Sequence, residues 1–123
     1  MSEPPVDASY CHCTRCQHRT GGAWSLSARL APGSLRITAG EGDISAWAPA
    51  GGFEKHFCSR CGSALFAQSP TDRSVVAVRF AAFDVAPDVK PSFRQFVASA
   101  PAWDTIPDDG IPRYDEARPP GAP

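Results

Sequence analysis

Five cysteines fall in two clusters with the spacing of metal ligands. Cys11, Cys13 and Cys16 lie in Cys11-His12-Cys13-Thr14-Arg15-Cys16, and Cys58 and Cys61 lie in Phe57-Cys58-Ser59-Arg60-Cys61-Gly62. Thiolates offered from two separated turns can converge on a tetrahedral zinc ion. The Cys-x-x-Cys-Gly pair suits half of a structural site, because glycine takes the positive φ that turns backbone amides toward sulfur. The first cluster differs. Three close thiolates leave a fourth position open, which is how catalytic zinc is usually built. A thiol entering that position would be held as thiolate and could attack a small electrophile. Five thiols exceed one structural site by one and are too few for two complete all-cysteine sites. The plain alternative is therefore a single structural zinc fed by both clusters.

Other polar and aromatic residues carry weaker signals. His12 sits between two ligands, a position that usually points away from the metal. His18 and His56 read as surface or strand residues. Trp24 and Trp47 read as core, with lining a pocket as the alternative. Arg15 and Arg60 could bind the carboxylates of a small substrate. Arg15, Arg19 and Arg29 form a local basic spot that reads as solvated surface.

The elements that must position these residues are mostly strands. Trp24, Leu26, Ala28 and Leu30 alternate with small or polar residues over 23–30, the period of a half-buried strand. Leu35, Ile37 and Ala39 predict a second. Ile44–Ala48 and Phe53–Phe57 follow, the latter running into the Cys58 pair, and Ala64–Gln68 leaves it, so the pair sits at a hairpin tip. Val75–Phe83 is apolar on both faces apart from Arg79 and predicts a central strand. Ser92–Ser99 alternates again. Beyond Pro101 the pattern dissolves, and Trp103, Ile106, Ile111 and Tyr114 are expected to anchor an irregular tail. Thirteen prolines and ten glycines favour turns over long helices. The fold class is all-β, with little helix. The expected organisation is a flexible lead-in over 1–9, one domain over 10–116, and a disordered proline-rich end over 117–123.

Bulk properties exclude several classes. The chain has 123 residues and a net charge of −1 with no run of like charges, so a long nucleic-acid footprint is excluded. No apolar stretch reaches the roughly 18 residues of a membrane span, and residues 1–8 lack the pattern of a secretory signal. A cytoplasmic location is the expectation. There, paired cysteines read as metal ligands or reactive thiols rather than disulfides.

Three blocks taken together resemble the glutathione-dependent formaldehyde-activating enzyme family, which includes centromere protein V. They are the Cys11–Cys16 block with Thr20-Gly21, the Phe57–Gly62 block with Leu65, and Ala100-Pro101-Ala102-Trp103 followed by Ile106-Pro107 and Ile111-Pro112-Arg113-Tyr114. The resemblance implies a zinc-containing β-tent of small antiparallel sheets. It also implies a carbon–sulfur lyase activity that joins glutathione and formaldehyde as S-hydroxymethylglutathione. It makes Cys11, Cys13 and Cys16 the catalytic zinc ligands, and Cys58 and Cys61 half of a structural Zn2+ site. Family members normally carry an earlier Cys-x-Cys-Gly on an N-terminal hairpin, and here no cysteine precedes Cys11. Two arrangements are then open. Two thiolates of the first cluster join Cys58 and Cys61, which the weakness of an isolated two-thiolate site favours. Otherwise the trio keeps its own metal, and the pair stands alone or is completed by a neighbouring chain. Sheet edges left uncovered predict a homodimer. A non-catalytic zinc-stabilised binding module is the alternative to an enzyme.

Overall fold

A computed structural model of the chain describes residues 3–123. Seven strands form one sheet: β1 Asp7–Cys11, β2 Ser25–Arg29, β3 Ile44–Trp47, β4 Glu54–Cys58, β5 Ala64–Gln68, β6 Val76–Arg79 and β7 Pro91–Gln95. Their order across the sheet is β3-β4-β5-β6-β2-β1-β7. Every pair is antiparallel except β1 with β7, which is parallel. The all-β class stands, with one short α-helix, α1 Thr14–Thr20, and three 3-10 turns.

The strand expected to be central is central, since β6 is fourth of seven. It ends earlier than the apolar run does, because Phe80–Ala82 curls into a 3-10 turn. Leu30, Phe66 and Val76 are the buried centre of the core. Leu35, Ile44, Leu65, Val78 and Phe83 pack around them.

Several expectations are corrected. Leu35–Ala39 forms no strand. Leu35 packs on the core while Ile37 is exposed, so the alternation reflects one-sided burial of a segment with no neighbour to ladder against. The lead-in is shorter than expected: Asp7 already opens β1, paired in register with Arg29, and residues 1–2 of that span lie outside the described residues. Ser92–Ser99 is not one strand. Phe96 takes a positive φ of 56°, which ends β7 and starts the 3-10 turn Val97–Ser99.

Contacts to the body of the sheet run as far along the chain as Arg118. The Arg118 guanidinium lies 3.9 Å from the centre of the Phe93 ring and 3.4 Å from Asp7. Tyr114 packs edge-on against Phe93, and its N–H donates to the Arg94 carbonyl of β7 while the Arg94 N–H donates to the Pro112 carbonyl. The chain thereby covers its own β7 edge, leaving β3 at the opposite edge. Trp103 is no anchor; it is 72% exposed.

Candidate metal centre

The first cluster is assembled by three elements. Cys11 is the last residue of β1, opposite Ser25 of β2 and Gln95 of β7. Cys13 is the N-cap of α1, and its sulfur accepts a hydrogen bond from the Cys16 amide at 3.4 Å. Cys16 is the buried residue of the helix. The helix is stopped by Gly21, whose φ of 71° lets its N–H reach the Gln17 carbonyl. His18 and Arg19 in its last turn complement the helix dipole. Two turns are too few for an apolar period to emerge, so this helix was not visible in the sequence pattern.

The sulfurs of Cys11, Cys13 and Cys16 all lie within 4.8 Å of one another. Three thiolates about 2.3 Å from a shared zinc would stand about 3.8 Å apart, so small adjustments bring the trio onto an ion. The electrostatics fit as well. A hydrogen bond from Cys11 draws the Cys16 thiol down to about 5, helped by the Ser25 hydroxyl at 3.2 Å, by Cys13 and by the Arg79 guanidinium, against the opposing effect of burial. Cys11 is driven far upward by that same hydrogen bond, by burial and by repulsion from Cys16. Three thiols this close cannot all ionise unaided, and a divalent cation among them resolves the conflict. The donor set therefore fits zinc.

His12 is not a ligand. It is fully buried, with Nε2 3.4 Å from Arg94 Nη1. Burial and the Arg94 charge lower its pKa, so it is neutral at pH 7. With Nε2 facing a permanent donor, the ring proton belongs on Nδ1. Arg94 is itself 3% exposed. It lies over the Tyr10 ring at 4.0 Å and pairs with Asp109 at 2.9 Å. This polar plug sits behind the Cys11–Cys13 turn, and the backbone bond from His12 N–H to the Gln95 carbonyl fastens it to β7.

Cys58 and Cys61 do not join the trio. Among the described residues the trio is the one group of three or more such ligands this close together. The β1–β2 and β1–β7 ladders fix Cys11, whereas the pair sits on the β4–β5 tip. At that tip the Gly62 amide donates to the Cys58 carbonyl with φ of 78°, the turn expected from Cys-x-x-Cys-Gly. Cys61 is exposed and bonded to the Ser63 hydroxyl at 3.0 Å. That hydroxyl, the Ser63 amide and Cys58 lower its pKa.

A cleft of about 530 Å³ opens beside the trio, lined by Cys13, Thr14, Arg15, His18, Arg19, Trp47 and Phe96. Trp47 is therefore a wall rather than core, and Trp24, 39% exposed, lines a neighbouring hollow with Ser25 and Arg79. Arg60 is far more exposed and pairs with Asp43 at 3.1 Å. His56 stacks on Phe66 at the mouth of a third hollow. Residue-type reasoning missed Ser25, Arg79 and Arg94. Burial of a serine between apolar positions of a strand was the one available hint. Lys55 was also missed. Burial and the Arg79 charge lower its pKa, and the Cys16 and Cys13 sulfurs act on it in the opposite sense.

A sequence model described as glutathione-dependent formaldehyde-activating enzyme matches residues 1–99. No curated protein matches the chain. Among solved structures, a Rhodobacter sphaeroides protein from a structural genomics programme aligns with a TM-score of 0.52 at 22% identity, over 70% of this chain and 73% of that one. At that identity the likeness speaks for the fold.

Proposed function

The chain belongs to the glutathione-dependent formaldehyde-activating enzyme family, and from that premise we propose that it condenses a small thiol, glutathione, with formaldehyde as a zinc-dependent carbon–sulfur lyase. The carrying observation is the trio itself: three sulfurs mutually within 4.8 Å, one of them on the wall of an open cleft. Cys11, Cys13 and Cys16 hold the ion in this reading, and Cys58 and Cys61 form a separate two-thiolate site with a structural role. Zinc, when bound, supplies a Lewis acid that lowers the pKa of an incoming thiol.

The chain's own groups do the rest. The Ser25 hydroxyl and the Cys13 N-cap geometry hold the sulfurs in place. Arg79 and Lys55 add positive potential where negative charge gathers. The Phe96 and Trp47 walls narrow the approach. In the reaction the substrate thiol gives up its proton to solvent, its sulfur attacks the carbonyl carbon of formaldehyde, and a C–S bond forms. The C=O π pair moves to oxygen, which takes a proton from solvent. A reducing compartment such as the cytoplasm suits a site made of free thiols.

The test is adduct formation from glutathione and formaldehyde by the zinc-loaded protein, measured against the spontaneous rate. Acceleration that disappears on chelation is expected. No acceleration would overturn the enzymatic reading and leave a zinc-stabilised binding module.

A further inference from the structure

The cleft beside the trio is lined with cations that no carboxylate neutralises among the described residues. Arg15 and Arg19 are one helical turn apart on α1, a spacing at which like charges repel. Among the described residues neither takes part in an ion pair, and no carboxylate lines the cleft. Arg29, the third member of the basic spot seen in the sequence, is instead neutralised by Asp7 at 3.0 Å.

The two guanidinium groups are held in place. Arg15 lies 5.8 Å and Arg19 5.6 Å from the centre of the Trp47 ring, and Arg19 is also 5.4 Å from that of Phe57. Arg19 Nε is buried and has no hydrogen-bond partner. Gly52 belongs to the same arrangement: a Cβ there would collide with Arg15 Nη1. The Pro49–Gly52 turn thus leaves room for this side chain against Trp47. Two like charges stacked on one indole, with donor capacity unspent and a sulfur ligand on the same wall, describe a seat for an anion.

We propose that Arg15, Arg19 and Trp47 form a carboxylate-binding subsite that makes the trio selective for acidic thiols over neutral ones. The inference rests on the reading of the trio as the thiol site. The guanidiniums bind the carboxylates of the thiol substrate, and Trp47 holds both on the cleft that Cys13 also lines. Selectivity then comes from substrate binding and not from the bond-forming step.

The experiment compares glutathione with 2-mercaptoethanol as co-substrate of formaldehyde, using the zinc-loaded full chain and its Arg15→Gln, Arg19→Gln and double variants. Loss of one charge-assisted contact is expected to raise the glutathione KM about 10-fold, and loss of both about 100-fold. kcat and all constants for 2-mercaptoethanol should stay within about 2-fold. Gly52→Ala, which displaces Arg15 without removing charge, should reproduce part of the Arg15→Gln effect. An unchanged glutathione KM in the double variant, or equal losses with both thiols, overturns the proposal. Should neither thiol be accelerated by the unsubstituted protein, the reading of the trio fails, and the subsite is decided by titrating S-methylglutathione while following tryptophan fluorescence. Binding lost in the double variant supports the subsite. Binding that is absent or unaffected overturns it.

Discussion

The two cysteine clusters share a residue type and differ in almost everything else. The trio sits where β1, α1 and β2 meet, with Cys16 buried, a serine hydroxyl on its sulfur and an interior plug of His12 and Arg94 behind the turn. The hairpin pair sits at the tip of β4–β5 with Cys61 in solvent and Ser63 as its neighbour. The difference teaches that ligand spacing identifies a metal-binding turn, whereas the surroundings of the sulfurs decide what that turn can do. The hydrogen bond between Cys11 and Cys16, with burial acting beside it, forces a division of protons within the trio.

Three variants press on that contrast. Cys16→Ser should have the largest effect. Zinc content should fall by one ion per chain, and adduct formation should drop by more than the roughly 100-fold that loss of a supporting hydrogen bond costs a metal site. Metal analysis and initial rates check this. Arg94→Ala comes next. It leaves His12 Nε2 without its donor and Asp109 without its cation, at a cost of about 2–3 kcal/mol, moderated by the partial exposure of Asp109. Thermal unfolding of the zinc-loaded chain should show a fall in Tm of roughly 8–12 °C. The smallest effect on catalysis is expected from Cys58→Ser combined with Cys61→Ser. Neither residue lines the cleft beside the trio, so kcat/KM should move by no more than about 2-fold, and loss of their structural role should appear in Tm instead. A collapse of activity there, equal to that of Cys16→Ser, would mean that the two clusters share one ion.

Much of this was legible in the sequence, for reasons that can be named. The hairpin about Cys58 and the central place of β6 follow from period-two patterning and a glycine-marked turn, signals that reside in a few adjacent residues. The trio's convergence follows from spacing on one short segment. What stayed hidden depends on distant partners. Ser25 is buried because it faces Cys16, and Arg94 because it reaches His12 across more than half the chain. Helix α1 escaped because its seven residues bury a single side chain, and Leu35–Ala39 misled because alternation reports burial without supplying a hydrogen-bonding neighbour. The meeting of Trp47 with Arg15 and Arg19 likewise joins segments far apart in sequence.

The parallel pairing of β1 with β7 also orders events during synthesis. Cys11 can find Ser25, 14 residues on, well before its other neighbour, Gln95, follows 84 residues on. Until β7 arrives, β1 is an edge strand with His12 uncovered and three thiols open to oxidants and stray cations. Contacts this far apart in sequence also form slowly. A nascent chain would therefore spend its most vulnerable interval with its most reactive residues already made.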